Sequence, residues 1–224
     1  MEEHEKQAWR PKNWTEAYTK IYYQRNNEAE FTQDLTKYVE LISQNLPLNA
    51  DALTFEWGCG IGRLAKPLST MCKKYHGVDL TDEMVNLCTT RMASEIKANK
   101  FEVVKCDGTH LPYADNTFDC GLSVYVLQHN PRENMIFMLA DMHRVLKPQG
   151  KLFIQISDIE KPDGWGLFMK VANDYQHHRI KGGYMNHQNL HKEEFKFWCK
   201  QLGFINIEEV HSDTCSTFFT IQKA

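Results

Sequence analysis

The chain has 224 residues, 42% of them hydrophobic and 12% aromatic, enough apolar mass for one domain with a small appended element. Charged residues make up 25%, which excludes disorder of the whole chain. The formal net charge is -3, and lysines and arginines are interspersed with acids, so no basic face for nucleic acid is expected.

Met1 to Lys12 is charged and lacks an apolar core, so no signal peptide is expected, and the first ten or so residues are expected to be mobile. Trp14 to Leu46 reads as helix with a break near Asn26-Asn27. Trp14, Tyr18 and Ile21 fall at helical spacing, as do Phe31, Leu35, Tyr38 and Ile42. Ala52 to Trp57 is then a candidate strand, followed by a glycine-rich turn and a helix to about Lys73. Tyr75 to Asp79 is a second strand, with Thr81 placed to cap a helix from Asp82.

Phe101 to Lys105 and Phe118 to Val126 read as the third and fourth strands, separated by a loop. A helix from about Arg132 to Leu146 is stopped by Pro148 and Gly150, and Lys151 to Ser157 is the fifth strand. Pro162 to Gly183 reads as a loop with a short helix, and a histidine-rich stretch runs to His191. A helix from Lys192 to Leu202 leads into Phe204 to Val210 and Ser216 to Ile221, an antiparallel hairpin turning at Ser212-Asp213. This alternation predicts an α/β fold: a Rossmann-like, seven-stranded, mostly parallel sheet with helices on both faces and a C-terminal antiparallel hairpin. Ligands of such sheets sit beyond the carboxyl ends of the strands, so the informative residues should follow strands.

Three features do so. Glu56-Trp57-Gly58-Cys59-Gly60-Ile61-Gly62 lies between a strand and a helix, where glycines allow tight turns and close ligand approach to the main chain. Asp79 ends the second strand, where a carboxylate can accept from both hydroxyls of a ribose. Asp107 follows the third, where a carboxylate can accept from an adenine amino group. Any one of them alone is a turn or cap residue in most chains. With all three at successive strand ends, the sequence from about Leu53 to Ile156 resembles the class I S-adenosylmethionine-dependent methyltransferase family. Leu111 to Asp119, Val126-Leu127-Gln128-His129 and Arg144 to Leu152 are similar to further segments of that family, in the same order.

The resemblance implies S-adenosyl-L-methionine as cofactor. It implies contacts from Glu56, Gly58, Cys59, Gly60 and Arg63 in the glycine-rich loop, from Asp79, Leu80 and Met84, from Asp107 and Gly108, and from Val124. In family members N-terminal helices often cover the cofactor, so residues 1-50 are expected to form a helical lid. Trp14 and Tyr18 would then lie over the cofactor and Tyr22 beside the acceptor; ordinary packing on the sheet is the other reading. Residues 51-224 would form the catalytic domain, with a cap insertion at about 160-190. A nicotinamide-dependent dehydrogenase would need Gly-x-Gly-x-x-Gly; here the third glycine comes one residue early and bulky Arg63 takes its place.

The expected activity is methyl transfer to a small-molecule acceptor on O, N or C. The alternatives are a protein acceptor, or a cofactor-binding protein of the same fold that transfers no methyl group. His129 is the candidate for general base or substrate contact, its other reading being a residue that shapes the loop or touches cofactor. Tyr125, Trp165 and His178 are candidates for the acceptor pocket. His177, His178, His187 and His191 match no metal-site spacing, so a polar cap is expected rather than a metal. The seven cysteines are scattered and unpaired, which fits reduced thiols and argues against arsenic-type chemistry. No stretch approaches the ~18 apolar residues of a membrane span. A cytoplasmic monomer or homodimer, without membrane or nucleic-acid partners, is the expectation.

Overall fold

The computed structural model describes residues 6–21, 25–176 and 187–224, apart from the side chains at 174–176. The N-terminal part contributes α1 (Trp14–Ile21), α2 (Glu28–Phe31) and α3 (Leu35–Asn45). The alternating part follows as β1 (Leu53–Trp57), α4 (Ala65–Leu68), β2 (Lys74–Asp79), α5 (Asp82–Arg91), α6 (Ala93–Lys97), β3 (Phe101–Lys105) and β4 (Phe118–Ser123). A 3-10 turn at Leu127–His129 leads to α7 (Arg132–Val145) and β5 (Leu146–Ser157). The C-terminal part is α8 (Pro162–Gln176), α9 (Lys192–Gln201), β6 (Phe204–Ser212) and β7 (Ser216–Lys223).

The seven strands form one sheet in the order β3-β2-β1-β4-β5-β7-β6. Strands β1 to β5 pair in parallel, and β7 runs antiparallel to both β5 and β6. The order reverses between β1 and β4, so the loops after these two strands diverge and leave a crevice. Alternate side chains go to opposite faces. Phe219 joins the core under α7 and α9, with Phe55, Met138 and Phe195. Its neighbour Phe218 joins the other core, under α3 to α5, with Ile42, Leu68 and Tyr75. A smaller cluster ties the N-terminal helices to the loop after β1 through Ala17, Phe31, Ile61 and Met84.

Several boundaries differ from expectation for local reasons. Helix α4 stops at Leu68, because the Ser69 and Thr70 hydroxyls donate back to the Lys66 and Pro67 carbonyls. Strand β4 ends at Ser123, since Tyr125 takes the left-handed backbone conformation (φ +61°) and turns the chain away from the sheet. Strand β5 begins at Leu146, pairing with Phe118, and an irregularity before the next pair absorbs Pro148 and Gly150. Helix α8 is longer than the short helix expected, running 15 residues. Thr81 caps α5 as expected, accepting from the Met84 amide at 3.3 Å. The Trp9 segment is docked, for the Thr81 hydroxyl also donates to the Trp9 carbonyl at 3.0 Å. No helix among the described residues is long and apolar enough to cross a membrane.

Candidate functional site

The crevice at the strand-order reversal opens into a cleft that is partly open to solvent. Its floor is the turn after β1. Gly58 (φ +79°) sits so close to Val126 that a Cβ would lie 2.2 Å from a Val126 methyl. Gly60 (φ +53°) faces Ile21 of α1, and a Cβ there would lie 2.8 Å from the Ile21 terminal methyl. At both positions the main chain itself becomes cleft wall.

Two buried carboxyls flank this turn. Glu56 is 3% exposed and accepts a hydrogen bond from the Tyr75 hydroxyl at 2.9 Å. Burial pushes its carboxyl up to about 8, against the Tyr75 bond; the nearby charge of Asp79 adds to the rise and that of Arg63 opposes it. Asp79 accepts from the Gly60 amide at 2.7 Å and the Leu80 amide at 2.8 Å, locking the glycine turn to the end of β2. Burial raises its carboxyl too, against those backbone bonds. Two buried acids held above their ordinary range in one cleft form a site that a cationic ligand would stabilise.

Of the residues expected to hold the cofactor, the structure brings Glu56, Gly58, Cys59, Gly60, Arg63, Asp79, Leu80, Met84, Gly108 and Val124 to the cleft. It does not bring Asp107 there. The Asp107 carboxylate turns back to accept from the Thr109 amide and hydroxyl and the His110 amide, and its neighbours Cys106 and Gly108 line the wall instead. Partial burial works to raise that carboxyl, and these donors outweigh it. Trp14 and Tyr18 also stay outside. Tyr18 packs on Phe31 and donates to Glu28, and Trp14 packs beside Tyr18, so both serve the N-terminal cluster.

Of the residues expected beside an acceptor, Tyr125 and His129 line the cleft. Tyr125 is held in its left-handed conformation by the Gln155 side chain, which accepts from its amide at 2.8 Å and donates to Ser216 at 2.9 Å. Its hydroxyl lies 2.6 Å from that of Tyr38. Trp165 stays outside the cleft, 55% exposed and stacked on Phe168 along α8. Tyr22 and His178 lie outside the described residues. No group of three or more His, Cys, Asp or Glu among the described residues has metal-binding geometry.

Sequence reasoning missed Trp9, Ile21, Cys106, Asn130 and Met138, which all reach the cleft. Trp9 packs edge-on against His129 with ring centroids 4.9 Å apart. A tryptophan inside an otherwise polar leader was the available signal. The cysteines are buried apart from half-buried Cys215. The Cys59 thiol is pushed well up by its contact with Cys88 and by burial, and burial pushes Cys106 up to about 12, so neither is a nucleophile near neutral pH.

The family model of a methyltransferase domain matches residues 55–154. A sterol 4-C-methyltransferase of Caenorhabditis elegans is 26% identical over 113 residues, spanning 50% of this chain and 33% of that protein. The chain spans 33% to 42% of the first curated relatives it matches. Among solved structures, magnesium protoporphyrin IX methyltransferase of Synechocystis with bound S-adenosylmethionine superposes with a TM-score of 0.68 at 14% identity. That match covers 100% of this chain and 99% of the other. The cyclase SpnF superposes with a TM-score of 0.68 at 15% identity, over 90% of this chain and 85% of that one. These likenesses show the fold alone.

Proposed function

On the premise that residues 55–154 form a methyltransferase domain, we propose that the protein transfers the methyl group of S-adenosylmethionine to a small-molecule acceptor. The observation that carries this reading is the convergence of the ends of β1, β2 and β3 on one cleft holding two buried acids. The residues present fit the group. Main chain at Gly58 and Gly60 leaves room where a Cβ would intrude, and Glu56 and Asp79 complement positive charge.

When bound, S-adenosylmethionine supplies an electrophilic methyl carbon on a sulfonium sulfur, so the protein's task is positioning and electrostatics. Asp79 would hold the ribose by accepting from its hydroxyls. Gly108 and Cys106 would hold the adenosyl part, and Val124 and Tyr125 would line the space beside the methyl group. The N-terminal part would cover the cleft through Trp9 and Ile21. His129 binds the acceptor or takes its proton. A small acceptor suits a net charge of -3 and a connection after β5 too short for a separate recognition domain.

A second reading has a specific support, since the cyclase of the same fold shows that this architecture is not confined to proteins named for methyl transfer. Calorimetry with S-adenosylmethionine and its demethylated product tests the shared premise. Incubation with methyl-labelled cofactor and a metabolite extract then divides the readings. Label in a small product is the expected result; cofactor binding with no label transferred to any product sinks methyl transfer.

A further inference from the structure

Among the described residues, the large apolar side chains left in solvent include one continuous set, on α8. Trp165, Phe168 and Met169 are 55%, 40% and 48% exposed, and Ala172 beyond them is exposed as well. Positions 165, 168, 169 and 172 fall at i, i+3, i+4 and i+7, one stripe of a helix. The Trp165 and Phe168 rings stack on each other, with centroids 5.4 Å apart and planes at 26°. Met71, Phe137, Phe197 and Ile205 are exposed singly elsewhere in the chain, and scattered residues of that kind need no partner.

This stripe is not the face by which α8 joins the protein. Gly164 is buried so tightly that a Cβ would lie 1.9 Å from the Asp158 carbonyl oxygen, and Leu167 and Val171 on the same side are half-buried. The Gly164 carbonyl also accepts from Asn189 Nδ2. Asn189 Oδ1 in turn accepts from the Ser157 hydroxyl at 2.8 Å, and that hydroxyl lies 2.8 Å from His187 Nε2. His187 meets the cleft residue His129 edge to face, with centroids 5.7 Å apart. The first turn of α8 is thereby pinned at the end of β5 where the cleft opens, while its apolar stripe is left without a cover.

Charge singles out what covers it. Lys161 stands one helical turn before Trp165, and Asp163 and Lys170 lie on the opposite side of the helix from the stripe. Glu160 is paired with His191 at 3.0 Å and with Lys192 at 3.6 Å. In the sequence, the stretch from Tyr175 to Lys192 carries Arg179 and Lys181 and no acid, although the whole chain has a net charge of -3. Cations therefore bracket the stripe along the chain. A protein partner is met by apolar anchors within a hydrogen-bonding rim, whereas the side chains of this stripe offer one indole N–H. We propose that α8 docks on an anionic lipid bilayer, lying flat in the headgroup region with Trp165, Phe168 and Met169 turned inward. The lack of a spanning stretch has no bearing on a helix of 15 residues that lies on the surface.

The test uses the full chain and sedimentation with two kinds of vesicle, phosphatidylcholine alone and phosphatidylcholine with about one-third phosphatidylglycerol. The protein should partition onto the anionic vesicles about tenfold or more better than onto the neutral ones, and less well as salt is raised. Phe168→Glu/Met169→Glu should weaken this about tenfold or more, and Lys161→Gln about fivefold. Melting temperature and affinity for S-adenosylhomocysteine should match the parent in both variants, which separates a failed docking surface from a failed fold or a failed methyl-donor reading. Trp165→Phe keeps the stripe apolar, so partition should persist within about twofold. Quenching of tryptophan emission by brominated lipid, expected in the parent, should largely vanish in that variant. No partition onto anionic vesicles, equal partition onto neutral ones, or undiminished quenching in Trp165→Phe overturns the proposal. So does a parent dimer that Phe168→Glu/Met169→Glu splits while neither form binds vesicles, since the stripe then meets a second copy of the chain.

Discussion

At the ends of β1, β2 and β3 the cleft wall is largely main chain, supplied by neighbouring turns and locked by the Asp79 carboxylate to the Gly60 and Leu80 amides. At the ends of β4 and β5 it is built of side chains that meet from far apart in sequence: Trp9, Tyr125, His129 and, behind them, His187. A wall of main chain tolerates few substitutions, because space and backbone conformation are both fixed. A wall of side chains can be altered one residue at a time. The first half suits a constant ligand and the second a particular acceptor.

The contrast is most easily broken at Gly58. Alanine there must adopt φ +79° and place its Cβ 2.2 Å from a Val126 methyl, on the stretch that also carries Tyr125. Strain and overlap together should cost about 3 kcal/mol or more, roughly a hundredfold in affinity for S-adenosylhomocysteine by calorimetry. Gly60→Ala should cost less, because the Ile21 terminal methyl it meets can rotate away. If the two substitutions proved equally mild, the main-chain wall would not be the binding surface.

Glu56 gives the next largest effect, through pH. Its carboxyl rises from an ordinary 4.5 to about 8 on folding, mainly by burial. The folded state therefore holds a proton that the unfolded state releases. The stability this contributes is complete below about pH 4.5 and is lost as pH climbs through about 8, an effect on the order of a few kcal/mol. Melting temperature of the unliganded protein should decline across that window, and Glu56→Gln should flatten the decline. A sulfonium ligand favours the ionised carboxyl, so affinity for S-adenosylmethionine should rise over the same window. A pH-independent affinity would remove Glu56 from the charge complementarity of the site.

The same division governs what was legible in the sequence. Strand ends, the glycine turn, Asp79 and the Thr81 cap are each written in a few consecutive residues, so their places followed from local pattern. Asp107 lies outside the cleft lining because an Asp just past a strand can also accept from the next amides, and here Thr109 and His110 are in reach of its Oδ1. Trp14 and Tyr18 share helical spacing with Ile21, yet only Ile21 faces the glycine turn; which stripe points inward depends on where Phe31 packs. The pairing of His129 with His187 joins positions 58 residues apart through Ser157 and Asn189, and no local spacing encodes it.

Gln155 sharpens the comparison from inside β5. It is fully buried, and its side chain spans from the Tyr125 amide to the Ser216 hydroxyl, so the wall built of side chains too has one main-chain lock. Gln155→Leu fills similar volume while leaving that amide without its partner, and should lower stability by about 1–3 kcal/mol in denaturant melts. Affinity for S-adenosylhomocysteine should fall only severalfold, because the main-chain wall is untouched.

Trp9→Ala should give the smallest change and the most informative about the lid. The ring borders the cleft and meets His129 edge-on, while the Trp9 carbonyl is anchored by Thr81 independently of the side chain. Losing the ring should therefore leave the segment docked and remove about 0.5–1.5 kcal/mol of aromatic contact, a two- to tenfold rise in Kd for S-adenosylhomocysteine. The Asp79 lock and the glycine turn should hold the remaining affinity. A loss as large as that from Gly58→Ala would mean that the cover, not the strand ends, supplies most of the binding surface, and the division between the two halves would have to be redrawn.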